Sequence, residues 1–249
     1  MTAFSVIIPA RLSSTRLPEK ALADIGGKPM VVRVAEQARQ SAAESVIVAA
    51  DHPRIQAACA EHGIDCILTG EQPSGTARLA EAAALLHLPP ERIIINVQGD
   101  EPLMPPAVIN RLADTLAANS APMATAAHPI HSADEFANPN CVKVVADRNG
   151  NALYFSRTPI PFPRDRAAPL QLPEPPPLRH IGIYAYRAAF LREYVSLPES
   201  PLEHTESLEQ LRVLWHGVPI ALCLFGEAPP AGVDTAEDLQ RVRGLFQAA

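Results

Sequence analysis

Three cations stand close together near the start of the chain: Arg11, Arg16 and Lys20, five and four residues apart, with Ser13, Ser14 and Thr15 between them. Fixed positive charges interleaved with hydroxyl and backbone donors suit a polyanion such as a nucleoside triphosphate, because charge-assisted bonds are about twice as strong as neutral ones. A solvated basic loop is the alternative. The chain as a whole has a formal net charge of −6, so the positive cluster is local and a general nucleic-acid binder is disfavoured.

Acidic and polar candidates follow. Asp100 comes directly after the apolar run at 93–97 and behind Gly99. A carboxylate there is well placed for Mg²⁺, which takes one or two carboxylates and completes its shell with substrate phosphates and water; an Asp that caps the next helix is the other reading. Glu101 is expected to point elsewhere. Asp234, ahead of Thr235-Ala236-Glu237-Asp238, reads by itself as a helix N-cap. Ser74-Gly75-Thr76 is a donor-rich turn opening a helix, suited to a base, a ribose or an anion. His180, Gly182 and Tyr184 alternate along a strand and share one face. Leu202, Glu206, Glu209 and Val213 fall on one stripe of a helix expected over 202–216, which places the acids among apolar neighbours.

The elements that must carry these residues are legible in outline. Val6, Ile7 and Ile8 read as a buried strand that Pro9 ends, which puts the basic loop at a strand's carboxyl end, where open α/β sheets bind ligands. Strands at 45–50, 64–68 and 93–97 alternate with helices at 30–38, 53–61, 76–88 and 106–119, the signature of a parallel sheet with right-handed crossovers. The pattern then changes. Segments 142–146 and 152–156 flank Asp147-Arg148-Asn149-Gly150, a hairpin turn signal, so antiparallel strands enter here. Eight prolines between Pro159 and Pro177 exclude a helix or a central strand. A strand at 181–186, another at 220–225 and a helix at 235–247 complete the expectation: α/β, with a mixed, mainly parallel open sheet flanked by helices and an antiparallel excursion in the second half. The whole is read as a single domain, 1–120 mainly nucleotide-binding and 121–249 a second subregion that holds the antiparallel excursion.

With 47% apolar and 19% charged residues, the composition is that of a soluble globular protein. No apolar run approaches the ~18 residues a membrane helix needs, and the reading is cytoplasmic with no membrane partner. Cys59, Cys66, Cys141 and Cys223 form no Cys-x-x-Cys pair, which fits reduced thiols. There is no Walker motif, no Gly-x-Ser-x-Gly and no His-Glu-x-x-His, so covalent nucleophilic catalysis has no evident carrier.

Eight segments, in order, carry a resemblance: Ile8-Pro9-Ala10-Arg11, Ser14-Thr15-Arg16-Leu17-Pro18-Glu19-Lys20, Ser74-Gly75-Thr76, Asn96-Val97-Gln98-Gly99-Asp100-Glu101-Pro102, Tyr154-Phe155-Ser156-Arg157, Arg179-His180-Ile181-Gly182-Ile183-Tyr184, Leu208-Glu209-Gln210-Leu211-Arg212 and Gly232-Val233-Asp234-Thr235. Together they resemble the 3-deoxy-manno-octulosonate cytidylyltransferases, or CMP-Kdo synthetases, over essentially the whole chain. The resemblance implies a nucleotide-diphospho-sugar transferase-like fold and a Mg²⁺-dependent reaction of CTP with the acid sugar Kdo, giving CMP-Kdo and diphosphate for lipopolysaccharide. It implies that Arg11, Ser14, Arg16 and Lys20 hold the triphosphate, that Ser74, Gly75 and Thr76 lie near the cytosine, and that Asp100 and Asp234 bind Mg²⁺, with Arg11, Lys20 and both aspartates in the catalytic group. The sugar would lie against Arg16, Gln98, Arg157, His180, Tyr184, Glu209 and Gln210, with Arg157 the best match to its carboxylate. The resemblance thus makes 121–249 a sugar-binding and dimerisation subregion, with the proline-rich segment expected at or beside a homodimer contact. Two departures stand out: Glu19 where the family usually has Gly, and Ala77 where it usually has Glu. An N-acylneuraminate cytidylyltransferase and a catalytically dead nucleotide-binding regulator on the same fold are the rival readings.

Overall fold

The computed structural model describes residues 2–14, 16–164 and 172–247. Thr15 of the basic loop lies outside them, as does the middle of the proline-rich segment on which the dimer expectation falls. The strands are β1 (Phe4–Ala10), β2 (Asp24–Ile25), β3 (Lys28–Pro29), β4 (Ser45–Ala50), β5 (Asp65–Leu68), β6 (Ile93–Asn96), β7 (Met123–Pro129), β8 (Lys143–Ala146), β9 (Ala152–Ser156), β10 (Leu178–Arg187) and β11 (Ile220–Leu224). The helices are α1 (Met30–Ala38), α2 (Pro53–Glu61), α3 (Gly75–Leu85), α4 (Pro106–Ala117), α5 (Ala133–Ala137), α6 (Ala188–Tyr194), α7 (Pro201–Glu206), α8 (Gln210–Trp215) and α9 (Ala236–Gln247). The chain forms two compact units: the first of Met1–Asp114, Ala185–Val195 and Pro229–Ala249, the second of Thr115–Tyr184 and Ser196–Ala228.

In the first unit four parallel strands lie in the order β5-β4-β1-β6. Val6, Ile7, Ile8, Val48, Ile94 and Ile95 are fully buried, as the continuous β-branched runs predict for a sheet covered on both faces. The strand order reverses between β1 and β6, and the carboxyl ends at such a switch point are where ligands bind. β1 runs through Pro9 to Ala10. Its ladder to β6 stops at Ile7↔Asn96, whereas Pro9 still pairs with Ala49; with a strand on one side only, a missing N–H is tolerated.

A small apolar cluster of Ile25, Met30, Val233, Leu239 and Val242 is almost fully shut off from water, with the partly buried Leu17, Leu103 and Phe246 packed against it. It ties together three loops: Leu17 lies three residues before Lys20, Leu103 three after Asp100, and Val233 directly before Asp234. The tight β2–β3 hairpin that contributes Ile25 turns through Gly26 and Gly27 at φ 59° and 83°, values that favour glycine.

In the second unit β7 and β11 are parallel, while β8 pairs antiparallel with both β9 and β10. The hairpin turn falls at Asp147–Gly150 as expected, with the Asp147 carboxylate accepting from Asn149 and Asn151 N–H at 2.8 Å. The single helix expected over 202–216 is two. Ser207 adopts φ 51° and breaks it, so Glu206 and Glu209 do not share one stripe. Glu203 braces the elbow: it closes a capping box with Ser200 and takes a two-pronged ion pair from Arg212 of α8 at 2.6 and 2.8 Å. The short α5 and α6 and the β2–β3 hairpin have too few residues to show a period in sequence.

Candidate active site

In the first unit Lys20, Asp100 and Asp234 meet. The Lys20 Nζ donates to Asp100 Oδ2 at 2.5 Å, to Asp234 Oδ1 at 3.3 Å and to the Val233 carbonyl at 3.1 Å. Arg16 reaches the same Asp234 oxygen at 3.0 Å. Two backbone devices fix this meeting. Val233 N–H donates to the Asp100 carbonyl at 2.8 Å, joining the two acid-bearing loops, and Gly99 sits so close to β1 that a Cβ would lie 2.9 Å from the Pro9 carbonyl. Gly232 is equally confined, with a Cβ there 2.8 Å from the Glu101 carboxyl and 2.9 Å from the Asp100 carbonyl.

Asp234 is not the helix cap. Thr235 takes that place, its Oγ1 accepting from Asp238 N–H at 3.2 Å while Asp238 Oδ2 accepts from Asp234 and Thr235 N–H at 3.2 and 3.1 Å. The Asp234 carboxylate is thereby released toward Lys20 and Arg16. Glu101 corrects a second expectation, since it belongs to the same acidic group. Burial, reinforced by the charges of Asp100 and Asp234, pushes its pKa up to about 8.

The basic loop is pinned at its start by Asp51, which accepts from Leu12 N–H at 2.9 Å and contacts the buried Arg78 guanidinium at 3.5 Å. Arg78 also donates to Thr69 Oγ1 at 2.5 Å. Ser13 and Ser14 line a cavity of about 600 Å³ together with Leu12, Pro18, Asp51 and His52. Arg11 and Arg16 are exposed. Ser74 caps α3 by accepting from Ala77 N–H at 3.2 Å, and its O–H remains able to donate; Gly75 follows it and Thr76 is buried. Gln98 is half-buried, just past β6.

The second unit gathers the other polar residues expected in the site. His180 and Tyr184 share a strand face, with ring centroids 5.4 Å apart, and Phe155 meets His180 edge-on at 5.1 Å. Thr125 Oγ1 lies 2.9 Å from His180 Nε2 and 2.8 Å from the Ile183 carbonyl. One hydroxyl has one proton; given to Ile183, it leaves Oγ1 to accept from Nε2–H, and His180 Nδ1 is then the unprotonated nitrogen, an acceptor. Burial lowers the imidazole pKa to about 3, so the ring is neutral.

Arg157 is fixed by three carbonyls: Nε donates to Glu206 O at 2.6 Å, Nη1 to Pro139 O at 3.1 Å and Nη2 to Ser207 O at 3.4 Å. Three bonds from a guanidinium with five donors leave one N–H on each terminal nitrogen, a preset fork for a carboxylate. Two of the anchoring carbonyls, those of Glu206 and Ser207, lie on the elbow that leads to Glu209, which is exposed, and Gln210, which is 4% exposed with its buried Nε2 given no acceptor among the described residues. Glu206, expected on one stripe with Glu209, and Lys143, which the sequence reading passed over, complete this network. Glu206 accepts from Ser156 Oγ at 2.6 Å and Arg157 N–H at 2.9 Å, and the fully buried Lys143 donates to the Asn138 and Arg157 carbonyls at 2.9 and 2.5 Å. Nothing local in the sequence marks Lys143, and the spacing that marked Glu206 did not give its partners. The Ser200-x-x-Glu203 capping box, by contrast, is a readable signal.

A four-strand parallel unit with cations and paired carboxylates at its switch point defines a nucleotide-handling transferase, and comparison with known proteins agrees. A family model described as cytidylyltransferase matches residues 5–220, and the chain belongs to that family. Within it the place of the chain is among the 3-deoxy-manno-octulosonate cytidylyltransferases. The protein of that name from Neisseria gonorrhoeae (strain NCCP11945) is 63% identical over 99% of both chains, and that from Polynucleobacter necessarius subsp. necessarius (strain STIR1) is 60% identical over 98% of this chain and 95% of its own. A solved structure of CMP:2-keto-3-deoxy-manno-octonic acid synthetase complexed with CTP superposes with a TM-score of 0.89 at 42% identity, covering 99% of each chain. At 15% identity, 4-diphosphocytidyl-2C-methyl-D-erythritol synthase shares the fold, with a TM-score of 0.63.

Proposed function

We propose that this enzyme transfers the cytidylyl group of CTP to the acid sugar Kdo, releasing diphosphate. The observation that carries the reading is the convergence of Lys20, Asp100 and Asp234 at the switch point of a cytidylyltransferase fold. In the reaction the anomeric hydroxyl of the sugar attacks the α-phosphorus in line. A new O–P bond forms, the α–β bridging P–O bond breaks, its electron pair leaves with diphosphate, and the hydroxyl proton is released. The protein's task is to neutralise the triphosphate, align the hydroxyl and stabilise the departing diphosphate.

The donor set fits a divalent ion. Two carboxylates converge on one cationic centre, and among the described residues no cluster of three or more Asp, Glu, His or Cys is arranged for a metal, so an ion held by Asp100 and Asp234 would draw its remaining ligands from phosphate oxygens and water, the habit of Mg²⁺. Bound there, Mg²⁺ supplies charge that screens the approach of two anions and lowers the pKa of the attacking hydroxyl. Lys20 then serves the phosphates, with Arg11, Arg16 and Ser14 along the same loop, and Ser74, Gly75 and Thr76 serve the base. For the sugar, Arg157 offers its fork to the carboxylate, and the neutral His180, Tyr184, Glu209 and Gln210 exchange hydrogen bonds with the hydroxyls, joined by Arg16 and Gln98. Among the described residues no helix is long and apolar enough to cross a membrane; we place the enzyme in the cytoplasm, supplying lipopolysaccharide synthesis, and as a homodimer, which sedimentation at micromolar concentration checks.

Diphosphate release tests the assignment. It should require CTP, Kdo and Mg²⁺ together, fail with N-acetylneuraminate, and fall by at least about a hundredfold in Asp100→Asn and in Asp234→Asn while both variants stay folded. Wild-type rates in either variant at limiting Mg²⁺ would remove that aspartate from the site.

A further inference from the structure

Glu19 stands at φ 51° and ψ 35°, immediately before Lys20. A residue with a Cβ is uncommon in that left-handed region and persists where its surroundings hold it. The bend it makes sets the direction of the next side chain. Lys20 N–H donates back to the Leu17 carbonyl at 3.1 Å, Leu22 N–H to the Glu19 carbonyl at 2.8 Å, and Ala23 N–H to the Lys20 carbonyl at 3.1 Å; from this turn Lys20 reaches Asp100 and Asp234.

Across from the bend is Arg54, the second residue of α2. Its two terminal nitrogens bind the two Glu19 carboxylate oxygens side by side, Nη2 to Oε2 at 2.8 Å and Nη1 to Oε1. The α2 end of this pair is firmly seated: Pro53 opens the helix, His52 Nδ1 accepts from Arg54 N–H at 3.1 Å, and Ile55 is fully buried. The hydrogen bond from Arg54 is the largest influence on the Glu19 carboxyl and holds it below its ordinary range. Glu19 also lines, with His52, the cavity that Ser13 and Ser14 line, and Arg54 follows His52 by two residues in the chain.

We propose that Glu19 and Arg54 are a positioning pair for the phosphate loop: their two-pronged ion pair holds the left-handed bend that aims Lys20 at Asp100 and Asp234, a task glycine performs by backbone freedom alone. Exposed pairs contribute little to global stability, but this one has only to select one conformation of a short loop, and forked geometry is what does so. The proposal rests on the reading of Lys20 as a triphosphate ligand only in its kinetic consequence.

Four full-length variants test it: Glu19→Ala, Arg54→Ala, Glu19→Gly, and Glu19→Gly combined with Arg54→Ala. Arg54→Ala and Glu19→Ala should each raise the KM for CTP by about three- to tenfold with a smaller change in kcat, because each leaves a Cβ-bearing residue in the bend without its brace. Glu19→Gly should stay within about twofold of wild type, and Arg54→Ala should add nothing in that background. An undiminished Arg54→Ala effect in the glycine background would overturn the proposal, since Arg54 would then act on its own account. Amide hydrogen exchange without nucleotide gives a second readout that does not depend on which substrates the enzyme turns over. Exchange at Leu22 should quicken in Arg54→Ala and Glu19→Ala, and the combined variant should match Glu19→Gly. An unchanged Leu22 rate in Arg54→Ala would overturn the clamp even if CTP proves to be the substrate.

Discussion

Replacing Gly99 by alanine probes the framework that sets the paired aspartates. A Cβ built on Gly99 lies 2.9 Å from the Pro9 carbonyl oxygen, a separation real Cβ atoms essentially never show, and the obstacle is backbone. Pro9 belongs to a strand held in register with β4 through Ala10, so it is the Gly99-Asp100 segment that must give by a few tenths of an ångström. Overpacking of this kind costs about 1–3 kcal/mol. For a chain of this size each kcal/mol lowers the melting temperature by about 2–4 °C, so a fall of about 2–12 °C is expected. The shift passes directly to Asp100, and displacements approaching 1 Å in catalytic groups cost about a hundredfold, which puts the expected loss of kcat between about ten- and a hundredfold. Thermal unfolding and steady-state diphosphate release, measured on the same preparation, read both. Wild-type kcat with an unchanged melting temperature would refute the claim that close approach at Gly99 places Asp100.

Arg157→Lys should raise the KM for the acid sugar about ten- to a hundredfold while leaving CTP affinity alone, because a single ammonium cannot keep three carbonyl anchors and still present a fork, and bonds to charged groups are worth about 1.5–3 kcal/mol; an equal loss of CTP affinity in calorimetry would contradict it. His180→Ala should act on the same substrate by about tenfold, through loss of one hydrogen-bonding group. A pH dependence of stability follows from the same residue. Its pKa falls from 6.5 to about 3 on folding, so above 6.5 both states are neutral and nothing is lost, whereas at lower pH the unfolded chain takes up a proton that the folded one refuses. The slope is about 1.4 kcal/mol per pH unit at most, and the half-buried ring reduces it, so about 1–2 kcal/mol should disappear between pH 6.5 and about pH 5. Denaturant unfolding of wild type against His180→Gln isolates the effect; parallel pH curves for the two proteins would exclude it.

The parallel half of the fold was readable because β-branched runs such as Val6-Ile7-Ile8 and Ile93-Ile94-Ile95 alternate with helices of two or three turns, and both periods are strong there. Arg11, Arg16, Lys20 and Asp100 stood out as candidates by their types and their positions past strand ends, whereas the sugar-side candidates came from the ordered motifs of the resemblance. What escaped depended on geometry that no period records. A left-handed Ser207 split one expected helix in two and turned Glu206 toward Ser156 and Arg157. Thr235 and Asp238 satisfied the α9 terminus, which freed Asp234 from the capping role its position suggested. Glu101 entered the acidic group because Gly232 lets its carboxyl pass close to the backbone. Lys143, in a strand that reads as apolar, became the anchor of the Arg157 carbonyl through pairings with segments at 138 and 157. Each of these is a tertiary contact that redefines a residue whose local sequence fits an ordinary structural role.

Following all the phosphorus atoms of CTP at once by ³¹P NMR tests the central claim most directly. With Kdo and Mg²⁺ present, the α-phosphorus should move to the position of a sugar–CMP phosphodiester while the β and γ signals convert together to diphosphate, at the same rate, and no change should occur without the sugar. Loss of the γ signal alone as orthophosphate, or transfer that proceeds equally well with N-acetylneuraminate, would contradict cytidylyl transfer to Kdo.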